Sequence, residues 1–135
     1  MIPDAAMMLP IDRLRRFMAE CGGAAPGEAF AADGVVIVEN FPPFLFTGQD
    51  AVARWAAGFR EHARASGLAQ LSAGFGAAQD FRREADRVFF TLPTEWTGLA
   101  QGVGFAETGG WAFVLVETAE GWRLLGYAWA VVSRS

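Results

Sequence analysis

The sequence has little of what most metal and covalent catalytic sites are built from. Its 135 residues include a single cysteine, Cys21, and a single histidine, His62. One cysteine cannot form an internal disulfide, and one histidine excludes a metal site with several histidine ligands. No apolar run approaches the roughly 18 residues that a membrane span needs, and no basic residue precedes Arg13. We therefore expect a cytoplasmic protein that holds no metal and does not enter a membrane.

Positive charge is also scarce. Eleven basic residues against 15 acidic ones give a formal net charge of -4, whereas proteins that bind nucleic acid usually carry a basic patch. Nucleic acid is therefore not an expected partner. Hydrophobic residues make up 53% of the chain and charged residues 19%, which excludes disorder. The length suits a single domain over residues 1–135.

The first half of the chain carries helical patterns around one strand. Apolar residues at helical spacing predict a helix that starts near Pro10 and is stopped by Gly22-Gly23, and a short helix is expected over 26–32. The β-branched run 34–40 predicts a strand that is buried on both faces. The two prolines of 41–44 then predict a rigid corner.

A second long helix follows this corner. Thr47 and Asp50 resemble a capping box, so we expect the helix to begin at Gly48. Trp55 and Phe59 lie on its apolar face, and Gly67 is expected to end it as a glycine in the left-handed conformation.

After residue 67 the hydrophobic period becomes that of strands. The predicted runs are 68–81, 87–97, 103–118 and 122–132. Gly109-Gly110 is expected to be a bulge in a continuous strand rather than a turn. Helices followed by hairpins predict an α+β fold, in which N-terminal helices pack in a strongly curved antiparallel sheet. Both faces of the late strands are apolar, so we expect one to cover the helices and the other to contact a second subunit.

Four motifs occur in an informative order. They are Val38-Glu39-Asn40-Phe41-Pro42-Pro43-Phe44, Gly48 with the Trp55 helix, Glu107-Thr108-Gly109 with Trp111-Ala112-Phe113-Val114-Leu115, and Gly121-Trp122-Arg123-Leu124-Leu125-Gly126 with Trp129. Over about residues 9–132 the chain resembles small bacterial proteins of the nuclear transport factor 2-like superfamily, nearest the SnoaL-like and ketosteroid-isomerase-like ones. The resemblance implies a cone-shaped, cystatin-like fold with an apolar pocket at its open end and dimerisation through the outer sheet face.

The resemblance also allows a test against ketosteroid isomerases. These enzymes use a carboxylate at the end of the first strand as a base and a tyrosine on the first helix to hold the enolate. The resemblance implies that Asn40 and Phe17 occupy these two positions, and neither side chain can do that chemistry. Glu39 is adjacent, but we expect it on the opposite face of the strand unless the strand slips or bulges. Isomerisation of that type is not expected.

The remaining candidates are few. His62 is either a histidine at the rim of its helix or a pocket residue, and Glu95 is either a solvent-exposed carboxylate or an acid or base among aromatic side chains. These two are the candidate catalytic residues. The expected lining of the ligand pocket is Phe17, Asn40, Phe44, Trp55, Phe59, Glu95, Trp111 and Trp129.

Two classes of function stay open. The first is an enzyme without a cofactor that transforms a small hydrophobic compound, as a cyclase, dehydratase, hydratase or isomerase. The second is a non-catalytic domain that binds a ligand or assembles as a dimer. The fold does not decide between them, because it hosts several enzyme classes and plain binding modules.

Overall fold

The structure, a computed structural model, describes residues 2–135. Two α-helices, α1 (Ala5–Ala19) and α2 (Ala51–Ser66), and a short 3-10 helix (Gly27–Ala29) accompany seven strands. These are β1 (Val36–Val38), β2 (Leu45–Phe46), β3 (Leu68–Phe75), β4 (Gln79–Glu84), β5 (Arg87–Ala100), β6 (Val103–Thr118) and β7 (Gly121–Arg134). None of the helices over residues 2–135 is long and apolar enough to cross a membrane.

The strands form one curved sheet in the order β2-β1-β7-β6-β5-β3, and β4 pairs with β5 beside β3. The α+β layout is confirmed, but the sheet is mixed rather than purely antiparallel, because β1 runs parallel to β7. Parallel pairing is possible here since no hairpin joins these two strands. The predicted run 68–81 is two strands, and each pairs with a different part of β5.

Helix boundaries differ from the prediction at the N-termini. α1 begins at Ala5, before Pro10, because Asp4 caps it by accepting a hydrogen bond from the Met7 backbone N–H at 2.9 Å. The helix expected over 26–32 is reduced to the 3-10 turn. α2 begins at Ala51 rather than Gly48, and Asp50 occupies its N-cap position without a capping hydrogen bond from its carboxylate. That carboxylate pairs with the Arg54 side chain instead.

The core lies between the helices and the concave face of the sheet. Phe17 of α1 packs on Trp55 and Phe59 of α2, with ring centroids 5.3 and 5.7 Å apart. The C-terminal end of α2 is as predicted, because Gly67 follows it in the left-handed conformation with a φ of 59°. The expectation that β1 is buried on both faces is wrong: Val36 and Val38 are 44% and 40% exposed, since nothing in the described chain covers the outer face.

β7 contains two bulges that decide which of its side chains face the concave side. Leu115 pairs with Leu124 and Val114 with Gly126, so Leu125 is an extra residue. Val132 is a second extra residue, between the partners of Gly109 and Thr108. β6 runs unbroken past Gly109, as predicted, although the inserted residue belongs to β7. After the bulges, Tyr127 and Arg134 share the concave face.

Candidate functional site

A cavity of about 410 Å³ lies at the open end of the sheet, between α2 and the concave face. Most of its lining is apolar, including the aromatic side chains Phe41, Phe59, Trp96, Phe105, Trp111 and Trp129. Its polar lining consists of Glu39, Asn40, His62, Ser66, Glu107 and Arg134. A mostly apolar cavity with a few polar groups is the usual form of a small-molecule site.

Glu39 is the buried polar residue of this cavity. Strand alternation places Val35, Ile37 and Glu39 on the concave side, and only 5% of Glu39 is exposed. Its backbone N–H donates to the Phe44 carbonyl at 2.9 Å, which continues the β1–β2 pairing beyond Val38. The expectation that Glu39 faces away from the site is therefore wrong. No slip of the strand is needed, because its regular alternation already points Glu39 to the concave side. Asn40 lies exposed at the cavity rim.

Two side chains donate hydrogen bonds to the Glu39 carboxylate. Trp55 Nε1 donates to Oε2 at 3.1 Å, and the Tyr127 hydroxyl donates to the same oxygen. Both side-chain donors engage Oε2, which leaves Oε1 without a side-chain hydrogen bond within residues 2–135.

The surroundings raise the pKa of Glu39 to about 7. Burial is the largest cause, because it penalises the charged carboxylate. The hydrogen bonds from Tyr127 and Trp55 and from the Asn40 backbone lower the pKa by less, and the charge of Glu107 raises it further. Burial and the charge of Glu39 in turn raise the pKa of Tyr127 well above 10, so the phenol stays protonated as a donor.

His62 contributes a second titratable group. It lies on α2, half-buried, and its imidazole stacks on the Phe41 ring with centroids 5.2 Å apart. Burial lowers the pKa of His62 below 6.5, Glu107 raises it and Arg134 lowers it. The lowered pKa favours the neutral imidazole at pH 7, in which one nitrogen can donate and the other can accept.

Glu107 and Arg134 form an ion pair at the mouth of the cavity. Arg134 Nε and Nη2 approach Glu107 Oε2 at 2.7 and 2.6 Å, and Trp129 Nε1 donates to Oε1 at 3.1 Å. The Glu107 side chain is only 15% exposed. No group of three or more histidine, cysteine, aspartate or glutamate side chains in the described part of the chain could hold a metal ion.

The structure brings together only part of the predicted lining. Asn40, Phe59, Trp111 and Trp129 line the cavity, and so does His62. Phe17 and Trp55 are buried behind the lining, Trp55 as a donor to Glu39.

Two predicted residues lie outside the cavity. Phe44 is 55% exposed in the turn between β1 and β2, because the Glu39–Phe44 backbone pairing closes the hairpin there. Glu95 is exposed because it alternates with Trp96 on β5 and faces the convex side. Glu95 is not among the residues that line the cavity.

Sequence reasoning missed Tyr127, Arg134 and the inward direction of Glu39. Tyr127 carried a signal, since it is the only tyrosine in the chain. Glu107 belonged to a motif that we recognised, but only the bulge at Val132 shows that Arg134 faces it.

Comparisons with known proteins agree with this architecture. No protein-family model matches the sequence, and no curated protein has significant sequence similarity to it. Solved structures do match. A nuclear transport factor 2-like protein from Salmonella enterica has a TM-score of 0.73 at 12% identity, over 92% of this chain and 87% of that one. The chain has the nuclear transport factor 2-like fold.

Other structures with this fold belong to different functional classes. A proposed scytalone dehydratase from Novosphingobium aromaticivorans has a TM-score of 0.75 at 10% identity, over 96% of this chain and 84% of that one. The CaMKII hub of S. rosetta has a TM-score of 0.73 at 17% identity, over 96% and 97%. At these identities the likeness defines the nuclear transport factor 2-like architecture and not the activity.

Proposed function

We propose that this protein is an enzyme without a cofactor that binds a small hydrophobic compound in the cavity and moves a proton on it through Glu39. The observation that carries the proposal is the buried Glu39 carboxylate, held on Oε2 by Trp55 and Tyr127 in a mostly apolar cavity. A base or acid works best when its pKa lies near the working pH. The pKa of about 7 meets that condition.

The reaction class follows from the groups present. Glu39 Oε1 can take a proton from carbon beside a carbonyl, and the neutral His62 imidazole in the same cavity can donate a hydrogen bond to an oxygen. Abstraction at one carbon, followed by transfer of that proton from Glu39 to a departing hydroxyl, releases water and is a dehydration, and its reverse is a hydration. Return of the proton to another carbon is an isomerisation. The proposed dehydratase with this fold supports the first of these.

A substrate-independent assay tests Glu39 directly. The probe 5-nitrobenzisoxazole loses its ring proton to a base, its N–O bond breaks, and a coloured phenolate forms without any cofactor. We expect the wild type to accelerate this elimination, with a rate that rises with pH and levels off above about 7. Glu39→Gln should lower the rate roughly a hundredfold.

The matched control is Glu95→Gln, which removes an exposed carboxylate from the convex face. It should leave the rate unchanged. Equal rates for the wild type and Glu39→Gln would overturn the proposal, and equal losses in both variants would show that Glu39 has no special role.

A second candidate function is ligand binding or assembly without turnover, and the convex face of the sheet favours it. Val36, Val38 and Leu45 are 44%, 40% and 54% exposed there. The outward residues of β6 carry no charge, from Gly104 to Thr118. The structural likeness of this chain to the CaMKII hub is compatible with self-assembly of the chain. This candidate predicts saturable ligand uptake with no product by mass spectrometry.

We propose that the convex face pairs with a second copy of the chain, whichever function holds. The outward residues of β6, which carry no charge from Gly104 to Thr118, can approach those of a second copy closely without charge repulsion. Light scattering at micromolar concentration should give the mass of a dimer, and Val38→Glu should give that of a monomer. Val103→Glu, at an exposed site in the β5–β6 hairpin, is the control. A monomeric wild type would contradict the pairing.

The cytoplasmic location also stays a prediction.

A further inference from the structure

The charges that line the cavity do not balance. Glu39 and Glu107 bring two carboxylates to the lining, and Arg134 is the one cation among the lining residues. Burial lowers the pKa of His62, which favours its uncharged form at pH 7. The lining therefore carries no positive charge in excess, and a negative one whenever Glu39 is ionised.

The Arg134 guanidinium is already engaged. Its Nε and Nη2 atoms both contact Oε2 of Glu107 at 2.7 and 2.6 Å. Glu107 is fixed in turn, because Trp129 Nε1 donates to its other oxygen at 3.1 Å. An Arg134 side chain that was free would be a natural partner for a carboxylate group of a ligand. With Glu107 present, the positive charge of Arg134 is already neutralised, so the carboxylate group of a ligand finds no free cation there.

We propose that Glu107 is a specificity-determining residue that restricts the cavity to uncharged apolar ligands, such as ketones, alcohols, esters or amides, and excludes carboxylates. The inference rests on the proposed ligand cavity but not on proton transfer by Glu39. Like charges placed close together in an apolar site repel strongly, which favours the neutral member of a matched ligand pair.

The pair of aromatic compounds 2-naphthamide and 2-naphthoate tests this by isothermal titration calorimetry at pH 7.5. The two molecules share a skeleton and differ in the charge of one group. We expect the wild type to bind the amide at least about tenfold more tightly than the carboxylate. In Glu107→Gln, Arg134 is released, so affinity for the carboxylate should rise about tenfold while that for the amide stays within about twofold.

The control variant is Glu117→Gln. Glu117 lies on the same strand and pairs with Arg83 at 3.3 Å, but outside the cavity. It should behave as the wild type. Arg134→Gln is a second variant in case Glu107→Gln does not fold, and it should weaken carboxylate binding further.

The outcomes separate the two proposals. Equal affinity of the wild type for both compounds, or a carboxylate affinity that Glu107→Gln leaves unchanged, overturns the role of Glu107 and leaves the Glu39 assay unaffected. Binding of neither compound overturns the ligand cavity, and this inference with it. A neutral-ligand preference in a protein that fails the elimination assay supports the specificity role and rejects catalysis by Glu39.

Discussion

The phenol of Tyr127 in β7 donates a hydrogen bond to the carboxylate of Glu39, and 88 positions separate the two residues along the chain. The parallel pairing of β1 with β7 makes this contact possible. Ile37 lies opposite Tyr127 in that pairing, and Glu39 follows Ile37 on the same face of the strand. The candidate acid-base group therefore depends on the register between the first and the last strand of the sheet.

Removing the phenol should shift the pH dependence of proton transfer. Tyr127→Phe keeps the ring but removes a donor to the ionised form of Glu39, so the pKa of Glu39 rises above about 7. A hydrogen bond to a charged group contributes about 1.5 kcal/mol or more, which corresponds to about one pH unit. The midpoint of the rate–pH profile with 5-nitrobenzisoxazole should move up by that amount. An unmoved midpoint would show that Tyr127 does not act on Glu39.

Glu39 should also make the protein less stable as pH rises. Its pKa increases from 4.5 to about 7 on folding, so below about pH 4.5 both states hold the proton. Between these values only the unfolded chain releases it, and the free energy of unfolding falls until about pH 7. The full loss is about 3 kcal/mol.

Urea denaturation of the wild type and Glu39→Gln at pH 5 and pH 8 checks this sign. Glutamine cannot ionise, so the variant should gain stability relative to the wild type by a few kcal/mol between the two pH values. Other titrating groups cancel in the difference. Parallel pH dependences would mean that burial does not raise the pKa of Glu39.

The only histidine gives a direct view of the cavity charges. In an NMR titration, His62 contributes the single histidine Cε1–H signal, and its midpoint should lie below 6.5 because burial lowers the pKa. Glu107→Gln removes a charge that raises this pKa, so the midpoint should fall further. Arg134→Gln should move it upward. A midpoint that neither variant changes would contradict the placement of these three side chains in one cavity.

Gly109 should be intolerant of any side chain. A Cβ atom there would lie 2.2 Å from the Ala130 carbonyl oxygen, which belongs to the backbone and cannot move aside. We expect Gly109→Ala to reduce the free energy of unfolding by roughly 3 kcal/mol. Gly104 lies on the same strand with no atom within 4 Å of its Cβ position, and Gly104→Ala should change stability by less than about 0.5 kcal/mol. Chemical denaturation compares the two.

Much of the architecture could be predicted from local patterns. Apolar residues three and four positions apart around Trp55, together with the glycine at 67, indicated α2. Long apolar runs separated by short polar segments indicated β5 to β7. In these elements burial and local preference agree, so the sequence period is enough. The N-terminus of α1 was misplaced because Asp4, outside the apolar pattern, caps it.

The candidate site was less accessible to such reasoning. Whether Glu39 or Asn40 faces the cavity depends on which face of β1 the rest of the fold covers. The sequence does not reveal this, because β-branched residues lie on both faces of the strand. The inward positions of Tyr127 and Arg134 depend on two bulges in β7. Neither Leu125 nor Val132 carries a local signal of being an inserted residue, because both are ordinary strand formers.

The two bulges also determine how β7 can change in length. Each inserted residue precedes by two positions a polar side chain of the site, Leu125 before Tyr127 and Val132 before Arg134. Deleting either inserted residue would restore regular pairing and leave that polar side chain on the concave face. If the inserted residue were kept and paired regularly with β6 instead, Gly126 or Ser133 would take the inward position. The polar side chain would then point outward. The last strand can therefore lose a residue at these places more safely than it can change its register.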